Sequence, residues 1–450
     1  MIARRAPRAI AVRRPGVAPC RRGCVRGRGP AIVASGRGAA ALAWLGAIAA
    51  GHAARAEGAQ AAGDAADQTD QADKADKADK DETTWLTGQY ATGTWGDGRT
   101  WLEDHGLHID LLYTGEVLAR LAGGGGARAA YRGNVDLVVT LDTGKMSLWD
   151  GGTLFVYFEN GHGEGISPEV GASMLLSNIE APAFTQVSEV WFLQSFLDDR
   201  IRIKLGKQDA NRDFAAARFP GNFLHSSYGV LPTVPMPSFA APGLGAVLFS
   251  DPARWLTLRT GVYAGSPEIG SIGFDTAFGD GGAFFIASAS VRQDLGADQP
   301  QAAIYSVGAW YHSADITVGD ETFSGSSGAF AVADVMMHLH PSDRDDKSSV
   351  QVFGRVGWTQ PDRNPLSFYV GGGATLHGLR GVDTLGVGAG SARFPGDPVT
   401  LAHTESFVET FYKARVTPWF SLEPDVQVIF DPGGRDEIAV VGGLRFKLKL

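Results

Sequence analysis

The constraint that most limits this chain is a strict alternation across its last 46 residues, Glu405 to Leu450. Val408, Tyr412, Ala414 and Val416 share one parity, whereas Glu405, Glu409, Lys413 and Arg415 occupy the other. The ending repeats the pattern, with Leu444, Phe446, Leu448 and Leu450 alternating with Arg445, Lys447 and Lys449. A period of two places successive side chains on opposite faces of a strand. A soluble sheet hides its apolar face in a core, whereas a membrane barrel turns that face to lipid and its charges to a wet lumen. A chain that finishes on such strands, after many like them, is predicted to be a transmembrane antiparallel β-barrel, and therefore a pore.

Short runs along the chain sharpen this reading. Glu409-Thr-Phe-Tyr-Lys-Ala-Arg-Val-Thr-Pro-Trp-Phe-Ser-Leu-Glu-Pro-Asp-Val-Gln is followed by Asp431-Pro-Gly-Gly and Gly443-Leu-Arg-Phe-Lys-Leu. Upstream stand Thr94-Trp-Gly-Asp-Gly-Arg-Thr-Trp-Leu, His105-Gly-Leu and Tyr113-Thr-Gly-Glu. The middle carries Leu205-Gly-Lys-Gln-Asp-Ala-Asn, Phe223-Leu-His-Ser-Ser-Tyr-Gly, Pro242-Gly-Leu-Gly-Ala and Trp255-Leu-Thr-Leu-Arg-Thr-Gly-Val-Tyr-Ala-Gly. In their order and coverage, from Trp85 to Leu450, these runs resemble the OprB-type carbohydrate-selective porins. The resemblance implies an all-β barrel of about sixteen strands in the Gram-negative outer membrane, with short periplasmic turns and longer external loops. It implies passive passage of monosaccharides or small oligosaccharides. One departure is that the last residue here is Leu450, where such barrels usually end in Phe.

Composition agrees. Glycine is 60 of 450 residues, against a usual share of ~7%, as a chain with many bends and bulges requires. Mean hydropathy is −0.05, and no apolar run beyond Asp81 approaches the ~20 residues of a helical span. A barrel tolerates this because only alternate residues meet lipid.

Residues Met1 to Arg37 hold ten arginines and no acid, and the apolar run Ala39 to Ala50 follows. Small residues then lead to Ala54-Arg-Ala56, so 1–56 is predicted to be a secretory signal cleaved after Ala56. Cys20 and Cys24 fall within it, leaving a mature chain without cysteine and without a metal-ligand set. Removing eleven arginines leaves 29 basic residues against 49 acidic ones, a balance of −20 that excludes nucleic-acid binding. Residues 57–84 carry the repeat Ala72-Asp-Lys-Ala-Asp-Lys-Ala-Asp-Lys and read as an acidic low-complexity linker, with 85–450 as the barrel domain.

Within the barrel, His108 to Leu118 sets Ile109, Leu111, Tyr113 and Val117 against Asp110, Thr114 and Glu116. Asn134 to Asp142, Ile201 to Leu205, Leu256 to Ala264, Ala303 to Tyr311, Phe330 to Leu339, Val350 to Trp358 and Leu422 to Phe430 alternate similarly. Asp209 to Pro242 does not. Its five prolines rule out a continuous strand, and a loop of this length is expected to fold inward and narrow the lumen.

A sugar site needs carboxylates, amides and cations for hydroxyls, and aromatic rings for C–H faces. The lumen candidates are Glu116, Arg120, Asp136, Glu159, Glu189, Trp191, Lys207, Asp209 and Asn211. The family-like runs place Glu116, Lys207, Asp209 and Asn211 most directly. The plainer reading of each, as a general lumen polar residue or a structural salt bridge, carries more weight, and for Trp191, Trp358 and Trp419 an interfacial girdle is favoured over stacking. Expected partners are sugars as cargo, outer-membrane lipid and lipopolysaccharide, and the barrel-assembly machinery, for a monomer or homotrimer with no cofactor. Two rival readings are a general diffusion porin of the same fold and a secreted glycoside hydrolase using a pair such as Asp209 and Asp213.

Overall fold

The computed structural model describes residues 85–123, 128–270, 281–295, 302–318, 320–340, 346–395 and 404–450. The expected signal at 1–56 and linker at 57–84 lie outside the described residues. Sixteen strands follow in order: β1 (Leu107–Ala122), β2 (Ala129–Asp142), β3 (Gly152–Gly163), β4 (Phe184–Phe196), β5 (Ile201–Gln208), β6 (Gly243–Ala253), β7 (Leu256–Ala264) and β8 (Ala283–Asp294). The second half comprises β9 (Ala302–Val318), β10 (Glu321–His338), β11 (Ser349–Thr359), β12 (Phe368–Leu379), β13 (Asp383–Arg393), β14 (Thr404–Thr417), β15 (Phe420–Phe430) and β16 (Ile438–Lys449). Each strand pairs antiparallel with the next, and β1 pairs with β16 to close the barrel. Closure satisfies every strand edge, which is why a sheet can stand in hydrocarbon at all.

The alternation reads out as expected. Glu405, Glu409 and Arg445 are wholly buried on the inward parity, while Val408 and Leu444 are exposed on the outward one. Val117, Val307, Val370 and Val387 continue that outward apolar band. Among the described residues no helix is long and apolar enough to cross a membrane.

The two ends differ. Turns 197–200, 254–255, 380–382 and 418–419 are two to four residues long, whereas loops 164–183 and 209–242 at the other end hold 20 and 34. Short turns mark the periplasmic end of such barrels. Trp149 and Trp255 are exposed in turns at that end, and Trp358 faces outward near the loop end, as an aromatic girdle requires. Trp419 instead packs on Trp85, with ring centroids 4.4 Å apart. A short helix, Gly98–Asp104, lies under the periplasmic rim, where Arg99 donates to the Ile109 and Leu450 carbonyls.

Candidate functional site in the barrel lumen

The core of this molecule lies inside the barrel. Phe223, Leu224, Tyr228, Leu231, Val234 and Met236, all from loop 209–242, are entirely buried. The proline-rich loop therefore folds inward, as its sequence predicts. It starts with the helix Ala210–Phe214, whose first turn is capped by Asp209: the carboxylate accepts from the Asn211 and Arg212 N–H groups at 2.8 and 3.4 Å.

The far wall grips this loop. The Glu409 carboxylate of β14 accepts from the Leu224 N–H at 2.5 Å and the His225 N–H at 3.1 Å. Arg355 of β11 donates to the Tyr228 carbonyl, to that of Ser227 at 3.2 Å and to that of Ala215 at 2.7 Å. Tyr369 of β12 donates to the Ser227 carbonyl at 3.1 Å. The wall also makes room. A Cβ on Gly388 of β13 would stand 2.4 Å from the Tyr228 hydroxyl, so glycine is what lets the loop approach there. His225 stacks flat on Phe407 at 3.4 Å, and complete burial pushes its imidazole pKa down to about 3, leaving the ring neutral.

A second loop, 164–183, also turns inward, which the sequence reading did not anticipate. Glu405 accepts from the Ser173 and Met174 N–H groups, both at 2.7 Å, and Gln427 donates to the Leu176 carbonyl at 2.9 Å. The two loops are joined to each other. Asn178 donates its backbone N–H to the Leu224 carbonyl at 2.7 Å, and Ser226 donates to that of Leu175 at 3.0 Å. The signal was present in Ile166, Val170, Met174, Leu176 and Ile179, apolar residues without strand alternation around Pro168 and before Pro182.

Most of the candidate residues sit on the inside with partners. Glu116 forms an ion pair with Arg445 across the β1–β16 seam, at 2.5 and 2.9 Å, and Arg445 continues to Asn178 at 2.7 Å. Arg120 donates to the Glu169 carbonyl at 2.5 Å. Asp136 accepts from Asn134 at 2.6 Å and from the Tyr157 hydroxyl, and Glu159 accepts from Asn134 at 3.4 Å and from Ser188. Lys207 donates to the Val187 carbonyl at 2.9 Å, and Asn211 to that of Gly229 at 3.1 Å. Lys207, Asp209 and Asn211 thus hold the base of the large loop. Asp213, the other acid of the hydrolase reading, forms an ion pair with Lys204.

Trp191 turns into the lumen, away from the girdle. It lies parallel to Phe155, with centroids 4.6 Å apart and planes 12° from each other. The Lys204 ammonium stands 5.0 Å from the Trp191 ring and the Arg212 guanidinium 5.4 Å from the Phe155 ring. Glu189 accepts from Arg212, the Asp209 N–H and the Trp191 indole at 3.1 to 3.2 Å. Aromatic rings, cations and a carboxylate converge beside the loop; Phe155, Lys204 and Glu189 are buried, and Trp191 and Arg212 remain part-open.

A family model described as "Carbohydrate-selective porin, OprB family" matches residues 127–450. The chain belongs to the OprB family. Porin B of Pseudomonas aeruginosa is 23% identical over 425 residues, covering 80% of this chain and 91% of that protein. The OprB structure from Pseudomonas putida at high pH aligns with a TM-score of 0.72 at 20% identity, over 82% of this chain and all of that one. Its low-pH counterpart gives 0.56 at 17%, over 81% and 99%. At these identities the structures speak for the fold alone. As an OprB-family member this is a carbohydrate-selective porin of the Gram-negative outer membrane. Family and fold are those of channels, and the general-porin alternative is not favoured.

Proposed function

We propose that this OprB-family porin passes monosaccharides and small oligosaccharides down their gradient, and that selection occurs at the stacked Phe155–Trp191 pair beside the inward loop. The parallel rings flanked by Lys204, Arg212 and Glu189 carry this reading. The part-open Trp191 ring meets sugar C–H groups and the part-open Arg212 donates to hydroxyls, while the buried Phe155, Lys204 and Glu189 hold the two in place. Contacts of this kind are weak singly, as a channel that must also release its cargo requires. Asp136 and Glu159 extend the polar lining, whereas Glu116, Arg120, Lys207, Asp209 and Asn211 position the loops around it. Residues 1–56 serve as the export signal and 57–84 as a periplasmic linker to the 85–450 barrel. The outward apolar band meets lipid and lipopolysaccharide after insertion by the barrel-assembly machinery, and chemical crosslinking in the membrane distinguishes a monomer from a homotrimer.

The test is single-channel conductance of the refolded protein in a planar bilayer, titrated with glucose and maltose. Saturable sugar block is expected, with Trp191→Ala weakening the block while conductance persists. Conductance without block at millimolar sugar would overturn the proposal.

A further inference from the structure

We infer that the periplasmic half of the lumen holds a site for carboxylated sugars, a class of ligand distinct from the neutral cargo proposed above. The inference rests on reading the barrel as a sugar channel and adds a second site to it. Below the loops lies a cavity of about 380 Å³ lined by Lys413, Arg415, Lys447 and Lys449, with Asp110 as its one carboxylate. Its lining side chains carry four positive charges and one negative, and the buried Glu423 of β15 stands opposite Arg445 between the cation-bearing strands. Residues 83–450 as a whole point the other way, with 26 basic and 40 acidic residues, a balance of −14. The concentration of cations is therefore local.

Alternation explains how it arises. Lys413 and Arg415 share the inward parity of β14, and Lys447 and Lys449 that of β16, so the four meet at one level near the periplasmic ends of strands on either side of β15. Asp110 lies 3.8 Å from Lys449 and 3.1 Å from His108, which divides its charge between them. Asp383, behind the cavity, is held by Arg380 at 2.8 Å and by the Arg415 N–H at 2.9 Å.

The remaining lining suits a sugar acid better than a bare ion. Asn222, Thr384 and Ser421 supply amide and hydroxyl groups, and Trp419 and Phe420 supply ring surface. The volume falls near the lower end of ligand-sized pockets, ~300–1,000 Å³. A monosaccharide carrying one carboxylate would place its charge among the cations, its hydroxyls on the polar groups and its C–H face on the rings.

The experiment uses gluconate as the acid probe, glucose as its neutral counterpart and acetate as the bare carboxylate, each added to either side of single channels in a bilayer. Gluconate is expected to block preferentially from the periplasmic side, and less in 1 M than in 0.1 M salt, as the screening length falls from ~10 to ~3 Å. Losing one charge-assisted contact, as in Arg415→Gln, is expected to weaken gluconate block by about tenfold and to leave glucose block unchanged. Arg415 suits this test because it is exposed and its side chain makes one 3.5 Å hydrogen bond, to the Pro418 carbonyl, while its N–H bond to Asp383 survives the substitution, so the variant keeps its fold. Lys449→Gln gives an independent second reading. Glucose block without gluconate block would overturn this inference alone. Gluconate block without glucose block would overturn the neutral-sugar reading and leave the acid site standing. Acetate blocking as strongly as gluconate, or gluconate block unaffected in both variants, would also overturn the inference.

Discussion

Arg355 is where the seating of the large loop is most open to attack. Its guanidinium, 2% exposed on β11, holds the carbonyls of Ala215, Ser227 and Tyr228, two separate parts of the loop. Replacing it by Met keeps much of the volume and removes all three donors. A buried carbonyl left without a donor costs ~1–3 kcal/mol. Water entering from the lumen relieves part of that, and removing a buried cation returns its desolvation cost. Taking the low end for each carbonyl gives about 3 kcal/mol in total, or roughly a hundredfold rise in the unseated loop population. The Glu409 contacts to Leu224 and His225 remain, so the barrel stays intact and the loop detaches locally. Single-channel recording of Arg355→Met is expected to show excess open-channel noise with upward excursions, and liposome swelling should admit larger oligosaccharides. Arg355→Lys should resemble Met more than wild type, because one ammonium cannot span three carbonyls in a fixed fork. A folded Met variant, verified by its heat-modifiable gel band, with wild-type noise and size cut-off would refute the reasoning.

Three further outcomes follow from the same geometry. His225 is held neutral with a pKa of about 3 against an ordinary 6.5, so below pH 6.5 an unseated loop binds a proton that the seated loop refuses. Seating weakens as pH falls through that window, by about 2 kcal/mol at pH 5, and stays full above it. Channel noise should rise between pH 7 and pH 5, and His225→Phe, which retains the stack on Phe407, should flatten the rise; an identical pH response would contradict this account. Glu116→Ala removes the one carboxylate hydrogen-bonded to the buried Arg445, leaving Asn178 and the nearby Glu423 and Asp425, and should destabilise the barrel by about 3 kcal/mol, seen as a lower temperature for the heat-modifiable band shift. Deleting Pro232 to Ser238 should raise conductance, and an unchanged pore would argue against a constricting loop.

The fold was legible where one residue's environment decides its identity. In β14 and β16, lipid on one side and water on the other imposed the alternation, so parity could be read from Val408 against Glu409 or Leu444 against Arg445. The large loop was legible because prolines forbid strand pairing. The roles of inward residues were less so. Parity says that Glu116 faces in, but its partner Arg445 is 329 positions away and reaches it only because the sheet closes on itself. Glu405 and Glu409 looked like lumen charges, and nothing local marks them as acceptors for backbone N–H groups of distant loops. The inward turn of 164–183 was missed because apolar residues such as Met174 and Leu176 lack a period when they pack against another loop.

Much of the wall's hold on its loops falls on main-chain atoms: Glu405 and Glu409 take amide hydrogens, while Arg355, Tyr369 and Gln427 reach carbonyls. At those points the socket is indifferent to the side chain carried on the gripped residue. Substitutions along the loops can therefore change what the channel prefers while the fit of insert to barrel survives, so selectivity can drift in descent faster than architecture.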